Sequence, residues 1–257
     1  VLWSTSFAAI KIGLVGIPPI TFAAIRFIVA SILMSGLALT VLQLESVPPK
    51  NLWKLVLGGL LGITAIFSLH NLGMQRTTSA DANLLVASYP VIILLLEVLI
   101  FKARVNFKQI AGVVIAICGV YLVINLAGEQ SASNRLVGNL LILIAGFVWA
   151  FYNFVTKDVV SQYSTFTVIF WQTLFGMIAL VALSFTEFNQ WQLPSITTLL
   201  AATFLGIFCS VGAYLLYGYG LKNLPPNLAV NLMNLQPVFG LILASILLGE
   251  KISLIQV

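Results

Sequence analysis

A helix needs about 20 apolar residues to cross a hydrocarbon core, and this chain holds run after run of that length with almost no charge inside them. Nine such segments fall at roughly 1–15, 19–42, 52–72, 80–101, 107–126, 136–156, 164–185, 198–219 and 226–248. Their separators carry loop chemistry: GIPP at 16–19, SVPPK at 46–50, GEQSASN at 128–134, TEFNQWQLP at 186–194 and NLPP at 223–226. The closing ISLIQV reads as the start of a tenth helix. Only 7% of the 257 residues are charged, against about 25% in a soluble domain whose surface must face water. The outer surface therefore faces lipid. In lipid every backbone polar group must be satisfied internally, and segments of this length do so as helices. The expected fold is all-α and polytopic. The chain opens inside an apolar segment without a basic n-region, so no signal peptide is visible and the first helix is expected to be cut short.

The net charge of +5 forms no basic patch that nucleic acid would need; the basic residues stand singly between apolar runs, as topology signals do. With the N-terminus inside, Lys50, Lys54, Lys102, Arg104, Lys108, Lys157 and Lys222 fall on the cytoplasmic side, and Arg76, Arg135 and Lys251 outside. Short cytoplasmic loops favour Lys and Arg, so this orientation is expected. Cys118 and Cys209 lie far apart in apolar segments and read as small helix-packing residues.

An internal repeat adds more. Residues 80–105 align without a gap to 227–252, with Pro90 on Pro237, Arg104 on Lys251 and, beyond them, Gln109 on Gln256. Upstream, Gly73 matches Gly220, while Trp3 and Lys11 match Trp149 and Lys157 at nearly the same offset. The repeats are expected at 1–127 (helices 1–5) and 135–257 (helices 6–9 and the start of 10). An odd number of helices per unit turns the second unit upside down, the plan of many secondary transporters. A duplicated but passive bundle would leave the same trace.

Several stretches resemble a known family. WSTSFAAIK at 3–11, the arginine of TFAAIRF at 21–27, QIAGVVIAICGVYLV at 109–123 and NLQPVFGLILASILLGEKIS at 234–253 are similar to the drug/metabolite transporter superfamily, specifically EamA-type ten-helix exporters and permeases. The resemblance covers essentially the whole chain. It implies two inverted five-helix repeats around a central cavity, with helices 5 and 10 peripheral, and no particular substrate. One departure stands out: FKAR at 101–104 faces LGEK in the second repeat, so Glu250 has no acidic counterpart at Ala103.

Polar side chains at membrane depth are costly, about 2.5–3.5 kcal/mol for a charge on insertion scales, and mark candidate sites. Arg26 can hold a substrate carboxylate or phosphate as a planar double donor, or can bond helix-end carbonyls of a neighbour. Lys11 and Lys157 suit helix-end anchors better than ligands. Glu97, the carboxylate deepest in an apolar run, is a candidate for proton coupling, since loss of hydration favours a protonated carboxyl; pairing with Lys102 or Arg104 is the alternative. His70 and Asn71 sit near the outer end of helix 3. Asn231 and Asn234 share a face before Gln236 and Pro237, and helix 4 repeats the plan with Asn83, Ser88 and Tyr89 before Pro90. Trp149, Tyr152 and Asn153 on helix 6, with Tyr214 and Tyr217 on helix 8, offer aromatic faces with polar tips. Trp53, Trp191 and Tyr163 read as an interfacial belt, and Gly58, Gly59 and Gly62 as close helix packing. Helices 3, 4, 6, 8 and 9 are expected to converge on a cavity that Asn71, Tyr89, Tyr152, Asn153, Tyr214, Asn231, Asn234 and Gln236 line.

One histidine and one deep acid supply no zinc cluster or carboxylate pair, and no GxSxG occurs, so an enzyme is not expected. No cofactor or metal is expected either. The function expected is a secondary transporter of small polar metabolites, amino acids or similar organic solutes, in the cell (inner or plasma) membrane. Export is one of the directions the resemblance admits. A non-transporting channel or scaffold bundle is the alternative. The expected partners are a small-molecule substrate and the lipid bilayer, without nucleic acid; a homo-oligomer stays open.

Overall fold

The computed structural model describes residues 2–102, 106–125, 132–223 and 235–250. Helix α1 spans Leu2–Gly13 and α2 Pro19–Thr40. Helix α3 runs through Pro49–Gly59, a π-helical stretch Leu60–Ala65, and Ile66–Met74. Helix α4 has two parts, Ser79–Val86 and Tyr89–Phe101, and α5 is Phe107–Asn125. Helix α6 covers Ala132–Gln162, and α7, Thr165–Ser184, ends in a 3-10 turn, Phe185–Gln190. Helix α8 again has three parts, Ile196–Phe204, a π-helical Leu205–Gly212 and Ala213–Asn223, and α9 is Gln236–Leu248. Six of these (α2, α3, α4, α6, α7 and α8) are long and apolar enough to cross a membrane, and no strand occurs among the described residues. The start of a tenth helix lies outside the described residues.

Local chemistry explains the ends. Pro19 and Pro49 sit in the first turns of α2 and α3, where a missing N–H costs nothing. Thr78, Ser164 and Ser195 cap α4, α7 and α8 by accepting from Asp81, Thr167 and Thr198 N–H. Pro90 has no N–H to give the Val86 carbonyl, and α4 breaks there, at Ala87–Ser88. Pro237 takes the matching place in α9. The segments that begin beside the two prolines, Tyr89–Phe101 and Gln236–Leu248, are each 13 residues long. Each ends on a left-handed residue, Lys102 at φ 51° and Gly249 at φ 63°.

Helices α2 and α7 are antiparallel partners that cap one another. Behind α7, Glu187 accepts from Ile20 N–H (3.1 Å), Thr21 N–H (2.8 Å) and the Thr21 hydroxyl (2.8 Å) at the start of α2. Behind α2, Glu45 accepts from Ser164 N–H at 3.1 Å, at the start of α7. A carboxylate at a helix N-terminus meets both free donors and the positive end of the dipole. Glu250, behind α9, does the same for Ser79 and Ala80 N–H of α4 at 2.9 and 3.0 Å.

The bundle thus has two ends. One carries Arg135, Glu187, Glu250 and the end of α3; the other carries Lys54, Glu45 and the end of α6. We refer to them as the Arg135 end and the Lys54 end.

Glycines bring α3 against α7. A Cβ at Gly59 would lie 2.7 Å from the Gln172 carbonyl oxygen, and one at Gly176 would lie 2.9 Å from the Gly59 carbonyl oxygen. Gly62 likewise abuts the Tyr152 ring. Helix α5 lies at the periphery, with Ile115, Ile117 and Tyr121 exposed and open space beside Gly112 and Gly119. Cys118, expected to pack between helices, is exposed on α5, whereas Cys209 is buried in α8.

Candidate functional site

A cavity of about 1380 Å³ runs between the helices. Its lining includes the exposed Lys157 and Val160 near the Lys54 end and extends inward past Asn153, Tyr152 and Trp149 on α6. At 1.5 Å per residue, that stretch of α6 is about 16 Å long. Arg26, His70, Tyr214, Gln236 and Pro237 line the inner part. The α4 break contributes Val86, Ala87, Tyr89 and Pro90, so backbone freed by proline faces the cavity and not lipid.

Arg26 is the most demanding group in this site. It is 2% exposed. Its Nε donates to the Ser210 hydroxyl at 2.8 Å, and its guanidinium carbon lies 4.4 Å from the centroid of the Phe67 ring. Among the described residues no carboxylate pairs with it, and its Nη1 is buried without a protein acceptor. Ser210 belongs to the π-helical part of α8, whose Gly206 lets that backbone press against the Arg26 carbonyl oxygen; a Cβ there would sit 2.8 Å away. The π turn therefore sets the arginine's one fixed hydrogen bond. Single π turns often occur at functional positions, and α3 has its own at the matching place in the first repeat, beside Tyr152.

His70 lies on the same wall as Arg26. Tyr89 donates its single hydroxyl proton to the Ile142 carbonyl at 2.7 Å, so the 2.8 Å contact with His70 requires His70 Nε2–H as donor. Phe7 and Phe67 meet His70 edge-on and hold the ring in place.

Aromatic rings make most of the remaining wall. Trp149 stacks on Tyr152 at 5.0 Å, and Tyr152 donates to Gln172 Oε1 at 3.0 Å. Opposite, Trp3 donates to the Cys209 carbonyl at 3.0 Å and meets Tyr214 edge-on at 5.1 Å. Asn153 donates to the Trp149 carbonyl one turn earlier. Glu97 lines the cavity about 10 Å from Pro90 toward the Lys54 end, and forms no ion pair with Lys102 among the described residues.

The sequence reading is corrected at Asn71. Its side chain is 1% exposed and donates to the Pro19 carbonyl at 2.9 Å, so it joins α3 to α2 away from the cavity. Ser88 turns back to the Leu85 carbonyl. Asn83, 0% exposed, packs on Gly240 at the cavity's edge. Asn231 and Asn234 lie outside the described residues. The structure also adds α1 with Trp3, Ser6 and Phe7 and α7 with Thr165 and Val168, and it places Arg26 of α2, a candidate from the sequence, on the same wall.

The Arg135 end is closed by a polar cluster that the sequence reading passed over. Asp81, 0% exposed, takes a two-pronged contact from Arg135 at 2.7 and 2.8 Å, and Asn139 Nδ2 adds a third donor at 3.3 Å. The Thr77 hydroxyl donates to Asn139 Oδ1. Lys11 Nζ donates to the Met74 and Thr77 carbonyls at 2.9 and 2.7 Å, the anchoring role expected of it.

The cavity wall thus combines a buried arginine, a buried histidine and aromatic rings with polar tips. The EamA-like transporter family model matches residues 1–125 and again 136–257. The "Uncharacterized inner membrane transporter YedA" of Escherichia coli is 27% identical over all of this chain and 82% of its own length. The "Probable terminal-alkyne amino-acid exporter" of Streptantibioticus cattleyicolor is 27% identical over 97% of this chain and 83% of its own. A solved structure described only as "Crystal structure of protein" superposes with a TM-score of 0.67 at 23% identity, over 99% of this chain and 87% of that one. With both halves of the sequence matched by one family of multi-pass membrane transporters, the chain belongs to the EamA-like transporter family.

Proposed function

We propose that this protein carries small metabolites bearing a carboxylate, amino acids among them, by alternating access between two inverted five-helix repeats at 1–127 and 135–257. The observation that carries the reading is Arg26: a buried cation on the cavity wall, with no carboxylate partner and an unused donor among the described residues. A planar guanidinium matches a carboxylate, and a substrate anion would supply the charge this site lacks. The aromatic walls accommodate an organic side chain, and the amino-acid exporter named above supports the same class. The Lys54 end, where the cavity opens, is the cytoplasmic end by the distribution of Lys and Arg.

The alternative is a channel or scaffold. The closed Arg135 end argues against a continuous pore. Counterflow of radiolabelled amino acids in proteoliposomes containing the full chain tests the choice. A carrier gives saturable uptake stimulated by substrate on the other side; flux that does not saturate and ignores the other side would leave the channel reading. Glu97, on the wall and in no ion pair among the described residues, is the candidate proton carrier. Glu97→Gln should abolish pH-driven accumulation and leave exchange intact, and unchanged accumulation would mean facilitated diffusion.

A further inference from the structure

Lys11 and Lys157 are matched positions in the two halves, along with Trp3 and Trp149. They do different things here. Lys11, on α1, holds two carbonyls at the C-terminal end of α3, Met74 and Thr77, and so fastens the Arg135 end. A cation suits that place because the last carbonyls of a helix have no partners and carry the negative end of the dipole. Lys157, on α6, is exposed at the opposite end of the molecule, on the wall of the open cavity. It pairs with no acid among the described residues, and its neighbour Asp158 is taken by Lys54 at 2.6 Å.

The match of Gly73 with Gly220 makes the end of α8 the counterpart of the end of α3, with Met74 corresponding to Leu221. Tyr214 and Tyr217, on the C-terminal part of α8, line the same cavity as Lys157. So the ammonium and its counterpart carbonyls lie around one opening, and closing that opening would bring them together. In the present conformation the latch at one end is made, and among the described residues Lys157 makes no matching bond at the other.

We propose that Lys157 is the latch of the Lys54 end: when the cavity closes there, its ammonium bonds the carbonyls of α8's last turn around Leu221, as Lys11 now bonds those of α3. One lysine engages as the other lets go. The proposal rests on the alternating-access reading and adds to it which residues hold each closed state.

The test needs no substrate. In a background with Cys118 and Cys209 replaced by serine, Ala87→Cys puts a thiol on the cavity wall at the α4 break. A membrane-impermeant maleimide is applied from each side in vesicles of known orientation, with and without Lys157→Met or Lys11→Met. Lys157→Met should shift the ratio of labelling rates toward the Lys54 side and Lys11→Met toward the Arg135 side, each by about tenfold, the effect of one charge-assisted hydrogen bond of ordinary net strength. The double variant should return toward the starting ratio. Lysines that merely stabilise the fold would not move accessibility in opposite directions. Shifts in the same direction, or none, in a protein that labels from both sides would overturn the latch. Labelling from the Lys54 side alone in every variant would instead overturn alternating access itself.

Discussion

At the Arg135 end, Lys11, Asp81 and Glu250 each hold groups on another helix, while at the Lys54 end Lys157 stands exposed beside the cavity and Glu97 faces it with no ion pair among the described residues. The parts are related by the repeat, yet one set is fastened and the other is not. The sequence contributes fixed differences: Glu250 caps α4 while its counterpart Ala103 has no carboxylate to offer, and Asp81 and Glu97 align with Leu228 and Ala244. Lys11 and Lys157 are the same residue in both halves and differ in what they touch. Closure is thus made of a few strong, specific bonds over a weakly polar bundle, so single side chains should govern it.

The largest effect is expected from the buried acid. Asp81→Ala strands Arg135 and Asn139 without their acceptor, and breaking a buried ion pair from one side costs about 3–5 kcal/mol. Thermal unfolding in detergent should show a clear drop in midpoint, and the Arg135 end should become more accessible to labelling. Replacing both Asp81 and Arg135 by alanine should cost less than Asp81→Ala alone; equal or greater loss would mean the pair is not the fastening.

Two of the capping glutamates, Glu187 and Glu45, offer a finer comparison. Glu187 is 7% exposed and accepts three hydrogen bonds, whereas Glu45 faces solvent. Glu187→Gln should cost about 1–2 kcal/mol and Glu45→Gln about 0.5 kcal/mol or less in the same melts, as caps differ with burial. The smallest effect has the opposite sign. Lys102 adopts the left-handed conformation that its counterpart Gly249 takes without strain, so Lys102→Gly should raise stability by about 1 kcal/mol. A loss would show that the lysine side chain does something there beyond ending α4.

Much of this was legible in the sequence. Apolar length gave the helices, and Pro90 with Pro237 marked matching segments that the structure ends on matching left-handed residues. Which way a polar side chain points was not legible. His70 and Asn71 are neighbours on α3, one turned to the cavity and the other to the Pro19 carbonyl. In a soluble helix the polar stripe would fix the rotation, but here lipid and core are both apolar and the periodicity carries no such contrast. The glutamate caps carry no local mark, since Glu45 and Glu187 bond helix starts 119 and 166 residues away, although both follow matching helices in the two halves. The Asp81–Arg135 pair joins residues 54 apart in sequence, and nothing local links them. The π turns of α3 and α8 lie in runs with no sequence mark beyond glycine.

The central claim is that Arg26 receives the substrate's anion. The most direct measurement is calorimetric binding of amino acids, and of their amides, to the purified full chain and to Arg26→Met. Loss of a charge-assisted contact worth about 1.5–3 kcal/mol predicts affinity for the acid lower by about tenfold to a hundredfold. The amide should bind both proteins equally weakly, and Arg26→Met should melt no lower than the wild type, since it removes a buried charge that no described carboxylate pairs with. Undiminished binding of the acid by Arg26→Met, or a collapse of stability with affinity unchanged, would contradict the account and return Arg26 to a packing role.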